Sequence, residues 1–578
     1  MTIRDFDVCQ ILREIAGQFV SGNQAVLDRV LLVGIQHILG TTVDMLTVMK
    51  EYGLKHAVLG GKHYSTHTGS VKKITELGFK CVEDSTQLGP GRFDDAMQEV
   101  VHRVWFKALE MLETCDCDLI IVLDDGADLL RATPGALFNR EGVSPKTRKP
   151  IRIIGIEQTR GGSNHPLFRG LPFPIINVAG AFVKTHLEYP HVANLVANKV
   201  VSLSKKLLNQ TTKPHPVIGI MGYGQLGKAI AKAFVEKEFD VLVHDDNKTT
   251  WDRAPKIVFH EFATVMIANA DIIIGSTGKD VTQNKANLAA FLYSREKKCL
   301  LSAGSKDLEF NTLLRMTQKL TKRTNALQDP LQTIQYQNHV GTILEIIRGG
   351  FPVNFTNELH SVSPEKIWPT RVALMLACFS AQILKKSYFK AHTSNIDSFM
   401  LATAAQTLII KKYVELCPGE RLARSLGKRS ASALIQLISQ CSDGIILPDL
   451  AKDTDKTCVN ENGFDGNLLD MAELLPGSVY WKDQAGRYLG CNHIMVKTAG
   501  LNSVDDIIGK TDLELWPASA FAIRQNDSKV MSLSSMVFLN EKVSVKNGKL
   551  MCFSSVKIPL KDRLGRVIGV VGNSHAIP

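Results

Sequence analysis

The sequence predicts an α/β protein with mostly parallel sheets and a separate α+β unit at its C-terminal end. Three observations lead to this prediction: an apolar run that enters a glycine-rich turn near mid-chain, short apolar runs that alternate with helix-compatible segments over residues 1–200, and strand pairs with tight-turn signals after residue 467. Buried strands separated by helices are typical of parallel sheets, whereas strands joined by short turns pair antiparallel.

Composition places the chain among ordinary globular proteins. Its 578 residues correspond to three or four domains at ~150 residues each. Hydrophobic residues make up 44% and charged residues 22%. No apolar run is long enough to span a membrane, and residues 1–20 carry charges where a signal peptide needs an apolar centre. We therefore expect a cytoplasmic protein with no membrane partner.

Charge and cysteine usage exclude two further classes of function. The formal net charge is +11, but basic residues are spread along the chain, and the densest basic stretch, 411–429, also contains two glutamates. This pattern favours a solvated helical face over a nucleic-acid contact. The eleven cysteines form no CxxC pair, so we expect reduced thiols and no metal site.

Residues 216–245 carry the strongest signal. The apolar run Val217–Met221 enters Gly222-Tyr223-Gly224-Gln225-Leu226-Gly227, and a second apolar run, Val241–Val243, leads to Asp245. In a dinucleotide-binding turn the first glycine permits the tight turn, the second admits the pyrophosphate, and the third lets helix pack on strand. The helix amides face the phosphates. This stretch predicts a Rossmann domain.

Asp245 indicates which dinucleotide is bound. It follows Gly222 by 23 positions, close to the ~20 expected for the carboxylate that binds the adenosine ribose. With Asp246 beside it, a 2'-phosphate would be repelled, so the sequence favours NAD over NADP. The segment 271–277 is expected to supply a later strand of the cofactor sheet, and Thr277 at its end and the following Gly278 are expected to complete the cofactor site.

Polar clusters follow three predicted strands of the first 200 residues. Residues 60–67 follow His56–Leu59, residues 124–128 follow Leu119–Leu123, and residues 157–162 follow Ile151–Ile156. The carboxyl ends of parallel strands meet at one edge of the sheet, where ligands bind. Each cluster alone is also explained by turn chemistry, but their shared placement favours a site.

Several motifs together resemble S-adenosylhomocysteine hydrolase over about residues 30–380. They are QHILGTTVDMLTVMKEYG, STHT, LDDGADL, GIEQT, INVAGAFVKTHLEY and GYGQLGK. The resemblance implies a Rossmann NAD-binding domain inserted in a second α/β domain that binds substrate. The expected boundaries are 1–200 for the first part of the substrate domain, 201–345 for the NAD domain, 346–390 for the return segment, 391–466 for a helical segment and linker, and 467–578 for the C-terminal unit.

The resemblance also implies a reaction. Bound NAD oxidises the ribose 3'-hydroxyl of a nucleoside thioether, the C4' hydrogen becomes acidic, homocysteine is eliminated, water adds, and the hydride returns. A lysine can act as the base only where its surroundings lower its pKa. The resemblance assigns Asp125, Lys184, His37 and His360 to catalysis, and Ser65 and Thr159 to substrate binding, with Glu188 at a further substrate-binding position.

Other positions depart from the family. Leu39 stands where a threonine beside the adenine is expected, Gln158 replaces a glutamate, Glu188 an aspartate, Tyr189 an asparagine and Ser305 a histidine. Gln158 cannot act as a charged acid or base, and Ser305 supplies no imidazole. The family's lysine- and tyrosine-containing tail, which completes a neighbouring subunit's cofactor site, has no counterpart here, although a homo-oligomer is still expected.

The segment 467–578 resembles a PAS sensory domain. The carrying residues are LLPGSVYWKDQAGRYLGCN, IIGKTDLELWP and VKIPLKDRLGRVIGVVGNS, and turns at 483–486 and 561–565 predict two hairpins. Nothing specifies its ligand. We expect Cys491 to be a buried structural cysteine; the alternative is a thiol that reacts with a ligand.

Three hypotheses of function follow. The first is an NAD-dependent hydrolase that acts on an adenosine-type thioether. The second is a regulatory protein in which an altered or inactive core still binds NAD and a nucleoside, coupled to the PAS domain. The third is a 2-hydroxyacid dehydrogenase, whose arginine and glutamate–histidine pair we do not find in the sequence.

Overall fold

A computed structural model describes most of the chain in two compact units. The units are Met1–Arg429 with Leu437–Leu450, and Ser430–Gln436 with Ala451–Pro578. The described residues are 6–20, 26–82, 93–137, 146, 150–164, 171–208, 216–251, 254–304, 306–321, 331–355, 358–383, 399–440, 445–446, 477–533, 537–544, 550–561 and 567–577. The predicted linker at 449–466, the 561–565 turn beyond Lys561, and Ser305 lie outside them.

The first sheet of the larger unit is parallel. Its first six strands are β1 (Val30–Gln36), β2 (His56–Gly61), β3 (Lys80–Val82), β4 (Leu119–Asp124), β5 (Arg152–Glu157) and β6 (Ile175–Asn177). Strands β1 and β4 are buried along their whole length, as continuous apolar runs in parallel sheets usually are. The strand order is β3-β2-β1-β4-β5-β6, so the winding direction reverses between β1 and β4.

The second sheet has the same kind of reversal. Its strands are β7 (Ile218–Met221), β8 (Val241–His244), β9 (Ile257–Phe259), β10 (Ile272–Gly275), β11 (Lys298–Ser302), β12 (Ile334–Gln337) and β13 (Ile343–Ile346). They lie in the order β9-β8-β7-β10-β11-β13-β12, and every neighbouring pair is parallel except β12 with β13. The direction reverses between β7 and β10. Ligands of such sheets bind outside the carboxyl ends of the strands at this point.

Two short strands extend the first sheet beyond β6. They are β14 (Phe399–Met400) and β15 (Ile445–Ile446), and both pair in parallel. The segment predicted as helical and linker, 391–466, therefore contributes to the first sheet as well as carrying helices.

Helices accompany both sheets, and the last helix before the smaller unit's sheet, Ala431–Gln440, has residues in each of the two units. They are α1 (Val8–Val20), α2 (Gly40–Glu51), α3 (Thr68–Glu76), α4 (Phe93–Leu112), α5 (Asp128–Arg131), α6 (Arg160–Ser163), α7 (Tyr189–Leu208), α8 (Gln225–Val235), α9 (Ala263–Asn269), α10 (Lys285–Leu292), α11 (Asn311–Thr321), α12 (Pro364–Ile383), α13 (Thr403–Leu416), α14 (Arg421–Gly427) and α15 (Ala431–Gln440). A π-helical turn, Val183–Glu188, precedes α7. Within α12, residues 368–381 are all buried, so this helix lies inside the unit. None of the helices described in the chain has the length and apolarity needed to cross a membrane.

The smaller unit is built on a five-stranded antiparallel sheet. Its strands are β16 (Ser478–Asp483), β17 (Tyr488–Cys491), β18 (Val537–Ser544), β19 (Leu550–Lys561) and β20 (Val567–Ile577), in the order β17-β16-β20-β19-β18. Helices α16 (His493–Ala499), α17 (Asp512–Leu515) and α18 (Ala520–Leu533) accompany it. Both predicted hairpin pairings, β16 with β17 and β19 with β20, are present.

Candidate functional site

The glycine turn after β7 leaves open space at one glycine only. Gly222 has φ of +95°, and a Cβ there would lie 2.8 Å from the Ser276 carbonyl oxygen. A Cβ on Gly227 would lie 2.1 Å from the Gly222 oxygen. A Cβ on Gly224 would meet no described atom within 4 Å. A side chain at Gly222 or Gly227 would therefore clash with the backbone, whereas Gly224 borders free space.

That free space lies at the N-terminus of α8. Gly224 is the residue before the helix, and no side chain caps it. The first-turn amides, including those of Gln225 and Leu226, have no intrahelical acceptors, so they can bind an anionic group. The turn therefore offers backbone donors beside an opening.

Asp245 lies directly beside the glycine turn. Its Oδ2 accepts a hydrogen bond from the Tyr223 amide at 2.5 Å, and its Oδ1 accepts one from the Asn247 amide at 2.8 Å. Each carboxylate oxygen can accept a second bond, so both retain capacity for ligand hydroxyls. These contacts hold Asp245 at the end of β8.

The loop after β10 rests on a buried carboxylate. Thr277 donates its hydroxyl to Glu309 Oε2 at 2.6 Å, and the Gly278 amide donates to Glu309 Oε1 at 2.7 Å. Gly278 has φ of +69°, a conformation that favours glycine. Burial raises the pKa of Glu309 to about 7. The sequence reasoning singled out Thr277 and Gly278 but not Glu309.

The ends of β1, β2, β4 and β5 converge on Asp125. His37 Nε2 lies 3.2 Å from Asp125 Oδ2, and both Lys62 Nζ and Gln158 Nε2 donate to the same carboxylate. On its other side, His37 Nδ1 lies 2.5 Å from Ser65 Oγ. Burial opposes ionisation of Asp125, but Lys62 and His37 outweigh it and hold the Asp125 pKa well below its usual range. Burial lowers the pKa of His37. The cluster thus fixes an ionised carboxylate with three donors.

Lys184 and Glu188 form a second buried pair. The Lys184 Nζ contacts both Glu188 oxygens, at 2.7 Å and 2.6 Å, and Thr370 of α12 donates its hydroxyl to Glu188 as well. The π-helical turn carries both partners. Such turns occur frequently at functional sites.

Thr159 and His360 are held differently. The Thr159 hydroxyl donates to Glu157 at 2.6 Å and accepts from the Gly162 amide at 3.1 Å, so it caps α6. Burial, and to a lesser extent the nearby Asp124 carboxylate, raises the pKa of Glu157 well above its usual range.

His360 packs against Gly40, and a Cβ added to Gly40 would lie 2.4 Å from the His360 ring. The Nδ1 atom of His360 is buried and has no hydrogen-bond partner among the described residues. Burial lowers the pKa of His360.

A single cavity of about 1200 Å³ joins the two groups of residues. Of the predicted site residues, its walls include His37, Asp125, Thr159, Lys184, Glu188, His360, Gly222, Gly224, Gln225, Leu226, Asp245, Thr277 and Gly278. Ser65 lies behind His37, and Gly227 packs inside the turn. Three of the departures, Leu39, Gln158 and Tyr189, also line the cavity. Burial raises the pKa of Tyr189 to about 12.

Phe355 and Arg371 are among the wall residues that the sequence analysis did not single out. Phe355 stacks on His37 with ring centroids 3.9 Å apart, and Arg371 projects from the apolar helix α12. The position of Arg371 directly before the apolar run VALMLACF could have indicated this role, because an arginine is rarely buried unless it has a polar or charged partner. Within the described ranges, no group of three or more His, Cys, Asp or Glu is arranged to hold a metal ion.

The smaller unit contains a small cavity within its hydrophobic core. A cavity of about 40 Å³ is lined by residues that include Tyr480, Tyr488, Trp516 and Glu541. Beside it, Lys482 bonds Asp512 at 2.6 Å and Asp527 at 2.9 Å. Cys491 is fully buried in the surrounding core, as expected of a structural cysteine.

Comparisons with known proteins identify this smaller unit. A family model described as PAS fold matches residues 472–577. Among solved structures, VqmA bound to DPO is 25% identical with a TM-score of 0.18; the match covers 18% of this chain and 54% of VqmA, so the chain spans about half of that protein. The PAS domain of Bordetella pertussis BvgS is 26% identical, with 19% and 85% covered and a TM-score of 0.18.

Two Mycobacterium tuberculosis proteins are similar to a longer part of the chain. They are the uncharacterised proteins MT0113, of strain CDC 1551 / Oshkosh, and Rv0104, of strain ATCC 25618 / H37Rv. Each is 28% identical over 412 residues, which covers 70% of this chain and 74% of the relative. The family match and the antiparallel sheet agree with the prediction for the smaller unit: the C-terminal part of the chain is a PAS sensory domain.

Proposed function

We propose that the larger unit is an S-adenosylhomocysteine hydrolase-like core that binds NAD and a nucleoside thioether, and that the PAS domain senses a separate signal. The observation that carries this proposal is the shared cavity. The glycine turn and Asp245 border it on one side, and Asp125, Lys184 and Glu188 border it on the other. Both groups lie at carboxyl ends of strands, and His37, Asp125 and the glycine turn lie where the strand order reverses, as ligand sites in such folds do.

The residues of the second sheet fit NAD. Its strand order and glycine turn support a Rossmann domain in this proposal, and Gly224 leaves room where a pyrophosphate would approach the α8 amides. Asp245 would hold the adenosine ribose. Bound NAD would supply a hydride acceptor for a ribose hydroxyl.

The chain's own residues would orient the nucleoside and move its protons. Asp125, held ionised by three donors, keeps one acceptor site on Oδ1 for a ligand hydroxyl. Glu188 and Thr370 hold Lys184 in place, and the proposal assigns the Lys184–Glu188 pair to the transfer of the proton from the carbon beside the oxidised position.

Homocysteine release tests the proposal. Purified protein should contain NAD by mass spectrometry and should release homocysteine from S-adenosylhomocysteine. Lys184→Ala should abolish release, because no other described cavity residue pairs an amine with Glu188. The exposed lysine variant Lys199→Ala is the control and should keep full activity. Absence of both NAD and turnover would overturn the proposal.

One observation favours a second candidate, a sensor core that binds both ligands without turnover. Gln158 donates to Asp125 where the hydrolases carry a glutamate, so it offers no acid or base. NAD bound with no homocysteine release would select this candidate over the hydrolase.

A further inference from the structure

Arg371 is a buried cation with no carboxylate against it. It is 4% exposed on helix α12 and lines the cavity. Its Nε donates to Thr41 Oγ1 at 3.1 Å, and one terminal nitrogen donates to Gln36 Oε1 at 3.4 Å. Both acceptors are neutral. Among the described residues, no carboxylate oxygen lies within 4 Å of the guanidinium.

The other buried cations of this wall are already balanced. Lys62 pairs with Asp125, and Lys184 pairs with Glu188. Among these five residues, Arg371 is therefore the one cation without a carboxylate in direct contact. Burying an arginine without a counter-charge is costly, and burial lowers its pKa. A guanidinium has five N–H groups, so donors remain for an oxygen that a ligand brings into the cavity.

The side chains that accept hydrogen bonds from Arg371 are neutral, and the carboxylates of Glu188, Asp125 and Asp44 act on its charge only from beyond 4 Å. Thr41 already accepts from Arg371. Leu39, two residues earlier, is apolar, and Ile367 lies one turn before Arg371 on the same helix. Thr41, Leu39, Ile367 and Arg371 all line the cavity. A purine base with an exocyclic amino group would find no carboxylate acceptor beside Arg371. A purine base with an oxo group would accept a hydrogen bond from the charged guanidinium of Arg371.

We infer that Arg371 binds an acceptor oxygen on the base of the ligand, so that the cavity selects a 6-oxopurine nucleoside over an adenosine-type one. The inference rests on the proposed function, which brings the ribose to Asp125 and Lys184, and on the resemblance, which sets Leu39 beside the base. It narrows the substrate class: an inosine-type thioether would be the preferred substrate, and S-adenosylhomocysteine would be turned over at higher concentration.

Calorimetric titration of the full-length protein, with its NAD content measured, tests this inference. The probes are inosine and adenosine, which differ at purine C6 and in the protonation of N1. Inosine should bind about tenfold or more tightly than adenosine, a difference of ~1.4 kcal/mol. Arg371→Gln should lower inosine affinity about tenfold or more and leave adenosine affinity unchanged. Arg371→Lys, which keeps the charge, should retain part of the preference.

The wild-type comparison stands even if an Arg371 variant fails to fold. Equal binding, preferential adenosine binding, or no nucleoside binding by NAD-containing protein would overturn the inference and leave the assignment of NAD intact. Protein that carries no NAD, takes up none and binds neither nucleoside would overturn the proposed function as well.

Discussion

A substitution of Gly224 should change ligand affinity without changing the stability of the fold. We predict that Gly224→Val keeps the stability of the protein within about 1 kcal/mol, because a Cβ there meets no described atom within 4 Å, but lowers NAD affinity at least 100-fold by occupying the space beside the helix amides. Calorimetry with NAD measures the affinity, and thermal unfolding measures the stability.

Gly227→Ala is the matched control. Its Cβ would lie 2.1 Å from a backbone oxygen, so we expect loss of stability itself, by more than ~2 kcal/mol. Unchanged NAD affinity in Gly224→Val would contradict the assignment of the glycine turn to the pyrophosphate.

Glu309 should make stability depend on pH. Burial raises its pKa from 4.5 to about 7, so the folded state favours the protonated form. The resulting stabilisation is fully present below the unfolded pKa and is lost as pH rises through the folded pKa. We predict that Glu309→Gln, which stays neutral, gains roughly 2–3 kcal/mol relative to wild type between about pH 5 and about pH 8. Urea unfolding at the two pH values measures this; a difference that stays constant would refute the raised pKa.

The elements that carry the site were largely predictable from the sequence. The runs before His37, Asp125 and the glycine turn are continuous and apolar, which identifies buried strands, and their polar successors must then meet at one edge. Arg371 and Glu309 were not predicted, and Lys62 was predicted only as a member of the 60–67 cluster, because the roles of these residues depend on contacts between residues far apart in the sequence. Strands of two residues, such as β14, carry no periodic pattern to detect.

The hydrogen bond from Thr370 of α12 to Glu188 of the π-helical turn joins two elements, and its contribution to stability can be tested. Thr370→Val should lower the free energy of unfolding by about 1–2 kcal/mol, because the variant removes a hydrogen bond to the buried Glu188 carboxylate and preserves side-chain shape. Thr47→Val is the control, since the Thr47 hydroxyl bonds only the Val43 carbonyl of its own helix, and should change stability by less than ~0.5 kcal/mol. Equal midpoints of urea unfolding for both variants would argue against the Glu188 contact.

At the scale of the whole molecule, the two units have separate sources of stability. The larger unit has extended apolar clusters and the proposed NAD site, whereas the PAS unit buries Lys482 and Lys557 among Asp512, Asp527 and Glu541. Such a network is fully satisfied only when every member is present, and removal of one partner leaves an uncompensated buried charge.

We therefore predict two thermal transitions that respond to different changes. NAD at about 100 times its dissociation constant should stabilise the larger unit by ~2.7 kcal/mol and raise one transition only. Lys482→Met should destabilise the PAS unit by ~3–5 kcal/mol and lower the other transition by more than about 10 °C, because Asp512 and Asp527 lose a shared cation. Differential scanning calorimetry of the full-length protein measures both. A single transition that NAD and Lys482→Met shift together would mean that the units unfold cooperatively, and that a ligand in the core stabilises the PAS domain.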